Sequence, residues 1–164
     1  MTNLSWAESY AGQIRSLAGD RTLMMVGAKG LVRDPAGHVL LIRRTDNGYW
    51  GVPGGSMELG ESVADCAMRE VFEETGIQAA TATPYAMYTG PRYTVTNIYN
   101  HTYQLFVVAF LLTDWAGELR PDPEEATDAG FFAPGAMPSP LGRSVTETLA
   151  DLASYEETGR VVVK

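Results

Sequence analysis

The sequence predicts a mixed α/β fold of the α+β kind, with residues 1–19 as a helical extension and 20–164 as one sheet-bearing domain. Three observations carry this. Val63 to Thr75 reads as a helix bounded at both ends, with Ser62 and Asp65 spaced as a capping box and Gly76 placed as a left-handed C′ residue. Four stretches bounded by turn residues read as strands: Leu23 to Arg33, Val39 to Arg44, Ile77 to Tyr88 and Tyr99 to Leu112. A chain of 164 residues that is 45% hydrophobic fits one domain with a real core.

Taken in order, Leu4, Ser5 and Glu8 give a hydrophobic residue and a capping box. Ala7, Tyr10, Ala11, Ile14, Leu17 and Ala18 then recur at helical spacing up to Gly19. The plain role for this amphipathic helix is packing on the domain, with a subunit contact or a substrate lid as alternatives. Leu23 to Arg33 runs to the turn Asp34-Pro35-Ala36-Gly37, and Val39 to Arg44 follows as its hairpin partner. Arg43 and Arg44 end that strand on opposite faces, either to meet substrate or the glutamates of the central helix described below, or simply solvated. Asp46-Asn47-Gly48 turns the chain into Tyr49-Trp50-Gly51-Val52-Pro53-Gly54-Gly55, whose glycines allow close backbone approach and free carbonyl oxygens.

The central helix changes character along one face. Val63, Cys66 and Ala67 begin it as an apolar stripe, and at about 100° per residue Glu70, Glu73 and Glu74 continue the same stripe. These carboxylates repel one another and sit near the helix C-terminus, where the macrodipole disfavours negative charge. A solvated acidic face is the plain reading, but it would not share its stripe with residues packed on a sheet. A divalent cation resolves the conflict, since hard oxygen donors on a rigid element suit Mg²⁺ or Mn²⁺. Arg69, one turn before Glu73, is expected to pair with it.

Beyond the helix, Leu105 to Leu112 is nearly all apolar and reads as a central strand covered on both faces. Tyr93, Val95 and Tyr99 suggest a hairpin arm; its aromatics could stack a base and Arg92 could meet phosphate, against packing or dimer contacts. His101 reads as structural, with a base or ligand as the alternative. Pro121 to Glu125 is a rigid acidic loop before a short Gly130-Phe131-Phe132 strand. Ser144 with Glu147 is expected to cap a last helix through Leu149 and Leu152, and Val161 to Val163 to pair as an edge strand or pack on a neighbour.

Gly55, five residues, Glu61, seven residues, then Arg69-Glu70-Val71-Phe72-Glu73-Glu74-Thr75-Gly76-Ile77 resembles the Nudix hydrolase signature at every defined position. The resemblance extends to Val39–Arg44, the Trp50–Gly55 approach and Glu124–Phe132, covering residues 20 to 155. It implies an α/β/α sandwich with a mixed central sheet and hydrolysis of a pyrophosphate bond in a nucleoside diphosphate linked to another moiety. ADP-ribose, nucleoside diphosphate sugars, dinucleoside polyphosphates and (deoxy)nucleoside triphosphates all fit. It further implies that Glu70, Glu73, Glu74 and a carbonyl near Gly54 or Gly55 hold Mg²⁺, with Mn²⁺ as substitute, and that Glu61 supports the loop. Glu73 is the first choice for base or water positioner and Glu125 the second, although the resemblance does not choose between Glu124 and Glu125. Arg69, Arg43, Arg44, Arg92 and Tyr93 complete the expected site. A silent nucleotide sensor and an isopentenyl-diphosphate-type isomerase are the alternatives, the isomerase requiring a placed cysteine.

Composition narrows the class. A formal net charge of −8 argues against a nucleic-acid surface, so the expected partner is a small nucleotide rather than a polymer. No apolar run reaches membrane-spanning length and the N-terminus is not a basic-then-apolar leader, so a cytoplasmic enzyme is the simplest inference. The one cysteine, Cys66, reads as core. The aromatic arm and apolar tail suit a homodimer.

Overall fold

In the computed structural model, which describes residues 5–164, local signals fix the helix ends and long-range pairing fixes the sheets. Helix α1 (Tyr10–Ala18) starts at Ser9, whose hydroxyl accepts the Gly12 N–H, one turn later than the box at Ser5 suggests. Only half of that box forms: Glu8 Oε2 accepts the Ser5 N–H and O–H at 3.0 and 2.6 Å, but the Glu8 N–H bonds the Ser5 carbonyl at 2.9 Å, which closes a turn rather than opening the helix. Leu4, the expected hydrophobic partner, lies outside the described residues. Strand β1 (Leu23–Val32), strand β2 (Val39–Arg44), strand β3 (Trp50–Gly51) and strand β4 (Gly54–Ser56) precede helix α2 (Val63–Thr75). Strand β5 (Gln78–Tyr88), a 3₁₀ turn (Pro91–Tyr93), β6 (Thr94–Thr96), β7 (Thr102–Ala116), β8 (Ala126–Phe132), helix α3 (Arg143–Thr158) and β9 (Val162–Val163) complete the chain.

The larger sheet runs β4-β1-β7-β5-β9 with β6 also on β7, and the smaller one runs β3-β2-β8. Strands β1 and β7 are parallel from Leu23 opposite Tyr103 to Val32 opposite Leu112, whereas β5 and β4 pair antiparallel, so the sheet is mixed. The expected β1–β2 hairpin does not form. A strand has two edges, and β7 and β4 occupy those of β1, leaving only an isolated bridge between Arg33 and Val39. Strand β2 pairs with β3 and β8 instead.

Alternation along the strands sends side chains to two cores. Ala28, Val32, Val108, Phe110 and Leu112 meet Cys66, Ala67 and Val71 of α2 on one side. Leu31, Tyr85, Tyr88 and Ala109 meet Val145 and Leu152 of α3 on the other. The smaller sheet feeds both, with Leu40 in the first core and Val39 and Leu41 in the second, giving the expected α/β/α sandwich. The apolar stretch in β7 is central, flanked by β1 and β5.

Helix α3 departs from expectation at its start. Its N-cap is Gly142, without a side-chain cap, rather than Ser144. Glu147 cannot reach back to Ser144 because its carboxylate accepts from Arg92, Tyr93 and Lys164. The tail forms the edge strand β9, parallel to β5 at Ala86 and Met87. Among the described residues no helix is long and apolar enough to cross a membrane.

Candidate active site

Helix α2 is held at both ends by the expected caps. Ser62 and Asp65 form a reciprocal capping box, and Gly76 sits at φ 77° with its N–H on the Phe72 carbonyl. Strand β4 lies along β1, Lys29 opposite Gly54 and Ala28 opposite Gly55, and this register lays the glycine loop across the glutamate face. A Cβ at position 55 would press on the Glu70 carboxylate and force it to shift, so glycine leaves that carboxylate in place.

Arg69 is the hub. It pairs with Glu73 at 2.8 Å as expected, and also with Glu70 at 3.0 Å and Glu61 at 2.8 Å, while donating to the Ser56 carbonyl at 3.0 Å. Its planar fork serves all four acceptors, which a single ammonium could not do. Glu61 also accepts the Glu58 N–H at 2.7 Å, so the loop and helix are joined through one carboxylate.

Glu74 is only 2% exposed and accepts the Gly54 N–H at 2.8 Å. Burial, reinforced by the Glu70 charge, pushes its carboxyl up to about 8. Burial likewise pushes Glu70 up to about 7, with Arg69 opposing and Glu73 and Glu125 adding to the rise. Glu125, an exposed residue, is raised by partial desolvation of its carboxyl and by Asp122 and Glu73, against the pull of Arg44. Four carboxylates therefore share one field, and the side chain of Glu125, from the loop entering β8, joins the three from α2. Arg44 faces this group, its charge felt by Glu74 and Glu125 while it bonds Asp46 at 3.0 and 3.1 Å.

The other expected residues lie elsewhere. Arg43 donates to the Gly48 carbonyl at 3.3 Å on the surface. Arg92 pairs with Glu147 of α3 at 3.0 Å and lies over the Tyr93 ring, whose hydroxyl donates to the same carboxylate. Cys66 is fully buried and its thiol is pushed up to about 12 by burial and then by Glu61, which suits core packing and not a nucleophile. His101 is partly buried, and its Nδ1 has no hydrogen-bond partner.

Among the described residues, no three His, Cys, Asp or Glu groups are already gathered around a cation-sized position. The donor set nonetheless fits a hard divalent ion. Arg69 engages one oxygen each of Glu70 and Glu73, and Gly54 one oxygen of Glu74, while the charges of the cluster oppose one another.

One polar group escaped the sequence reading. Lys29 donates to Thr148 Oγ1 at 2.7 Å and lies 4.4 Å over the Tyr88 ring, whose hydroxyl bonds Asp151 at 3.0 Å. A lysine between Ala28 and Gly30 in an apolar strand was the available signal. Burial pushes its ammonium from 10.5 down to about 8, against Glu147 and Asp151. The unfolded chain thus binds more protons than the folded one between these values, so this group makes stability rise with pH across that window. Lys29→Met is expected to lose that rise, read as denaturation midpoints in urea at a series of pH values.

The NUDIX domain family model matches residues 24–152. A Bacillus subtilis (strain 168) protein provisionally named an 8-oxo-dGTP diphosphatase is 30% identical over 138 residues, spanning 84% of this chain and 86% of that one. The NAD-capped RNA hydrolase NudC of Vibrio cholerae is 35% identical over 116 residues, 67% of this chain but only 39% of NudC. Among solved structures, the MutT NUDIX hydrolase of Burkholderia pseudomallei superimposes with a TM-score of 0.67 at 26% identity, covering 80% of this chain and 99% of that one.

Proposed function

The chain belongs to the Nudix hydrolase family and is a Nudix pyrophosphohydrolase, and on that premise we propose that it uses a divalent metal to cleave a nucleoside diphosphate linked to another moiety. The observation that carries the reading is the shared field of buried Glu74, half-buried Glu70 and exposed Glu125 beside Arg44, with Arg69 clamping Glu73. Glu70, Glu73 and Glu74, with the Gly55 carbonyl, would hold the ion. Bound Mg²⁺ or Mn²⁺ supplies Lewis acidity toward phosphate oxygens and water.

The chain's own residues do the rest. Glu73, held by Arg69, accepts a proton from the attacking water, and Glu125 is the second candidate for that role. The water oxygen bonds to phosphorus as the anhydride P–O bond breaks, and the electron pair leaves on the departing phosphate. Arg44 offers positive charge to phosphate beside the carboxylates, where the transition state gathers negative charge. Arg92 and Tyr93 bond Glu147 on α3, whereas the charge of Arg44 is felt by Glu74 and Glu125, so the phosphate contact is assigned to Arg44.

Substrate class is tested by chromatography of products after incubation with Mg²⁺ or Mn²⁺. The panel comprises ADP-ribose, nucleoside diphosphate sugars, dinucleoside polyphosphates, (deoxy)nucleoside triphosphates including 8-oxo-dGTP, and NAD-capped RNA. Metal-dependent cleavage of a free nucleotide is the expected result. Cleavage of capped RNA alone would overturn the small-molecule assignment, and no cleavage of any member would overturn the reaction.

A further inference from the structure

We propose that α1 is a positioning element of the active site, acting through Glu58, and this rests on the hydrolase reading above. Helix α1 lies outside the residues matched by the family model, yet hydrogen bonds tie it to the centre. Its first residue, Tyr10, donates its backbone N–H to Glu58 Oε2 at 2.8 Å. That N–H has no acceptor within a helix, and the positive end of the macrodipole strengthens its hold on a carboxylate. The backbone N–H of Glu58 donates to Glu61 Oε1 at 2.7 Å, and the same oxygen accepts from Arg69 at 2.8 Å. Arg69 then holds Glu70 at 3.0 Å and Glu73 at 2.8 Å. An unbroken series of bonds therefore runs from the first turn of α1 to two carboxylates of the site.

The far end of α1 is fixed as well. Arg15 is 6% exposed, donates to the Tyr103 hydroxyl at 3.1 Å and to the Gly19 and Arg21 carbonyls at 2.7 and 2.8 Å, and lies 4.5 Å over the Tyr103 ring. Ala11, Met25 and Tyr103 form a small core of their own beneath the helix. A helix bonded at both ends and seated on its own core is a strut, not a lid. It fixes the loop at Glu58, and the loop fixes Arg69.

Tyr10→Pro removes the critical donor without disturbing the helix. Position 10 is the first helical residue, where proline's fixed φ is suitable, and Ser9 already has the extended ψ of 151° that a following proline requires. Tyr10→Ala keeps the N–H while losing the phenol, and is the reference. Two readouts are compared: amide hydrogen exchange at Glu58 in the metal-free protein, and kcat and KM with the substrate found above. Tyr10→Pro is expected to lose protection at Glu58 and to lower kcat on the order of tenfold, with KM within about twofold, the scale on which partners orienting metal ligands act. Equal exchange in the two variants, or lost protection with unchanged kcat, overturns the proposal. If no panel member is cleaved, the hydrolase reading has failed on its own, and exchange still decides whether α1 holds the loop. If Tyr10→Pro does not fold, Glu58→Gln is compared with Glu58→Ala. Turnover retained by the amide and lost by alanine supports the role, and equal turnover overturns it.

Discussion

Glu74→Gln is expected to lower metal-dependent turnover by about 10²-fold or more while leaving the protein folded. The side chain is buried, and the amide oxygen can still accept the Gly54 N–H, so loop geometry is kept. What disappears is the negative charge that a divalent ion would bind. The fold should tolerate the change, because burial and the neighbouring Glu70 already favour the uncharged form of this carboxyl. Turnover assays beside thermal melts monitored by circular dichroism separate the two effects. An active variant would remove Glu74 from the metal site, and a molten one would make it structural.

Arg69 carries the second large effect. Arg69→Ala leaves Glu61, Glu70 and Glu73 without their shared partner in a setting where the arginine side chain is only 20% exposed. Breaking such a partly buried network costs about 3 kcal/mol of stability, and the loss of orientation costs about 10- to 100-fold in activity. Arg69→Lys is expected to recover charge without geometry. An ammonium cannot reach Glu61, Glu70, Glu73 and the Ser56 carbonyl together, so stability should return in part and turnover should not. Urea titration and kcat for both variants check this, and full activity in the lysine variant would reduce Arg69 to a simple counter-charge.

Helix α2 was legible to the residue because its signals are local: a serine and aspartate at one end, a left-handed glycine at the other. The partner of β2 was not. Proximity across the Asp34–Gly37 turn favours a hairpin, but the decision is made by β7, far along the chain, taking the edge of β1. Helix α3 went astray for a similar reason, since Glu147 is claimed by Arg92, Tyr93 and Lys164 from other elements. At the site, the three glutamates on one helix face could be read by spacing, and the Arg69–Glu73 pair with them. That Glu125 enters the field of Glu70, Glu73 and Glu74 depends on the turn at Asp122, whose carbonyl accepts the N–H groups of Glu125 and Ala126 and sets the entry into β8. Lys29 and the Glu58–Tyr10 bond join residues distant in sequence, and no local pattern encodes them.

The carboxylates of α2 stand on a helix packed against the larger sheet, whereas Arg44 ends β2 of the smaller sheet and Glu125 lies in the loop entering β8. Leu40, Phe131 and Trp115 meet on the α2 side where the sheets adjoin, with the Trp115 and Phe131 rings stacked at 5.5 Å. The candidate site is thus a seam rather than a property of either half, and the positive charge of Arg44 reaches the α2 carboxylates only while the smaller sheet stays seated against the larger one.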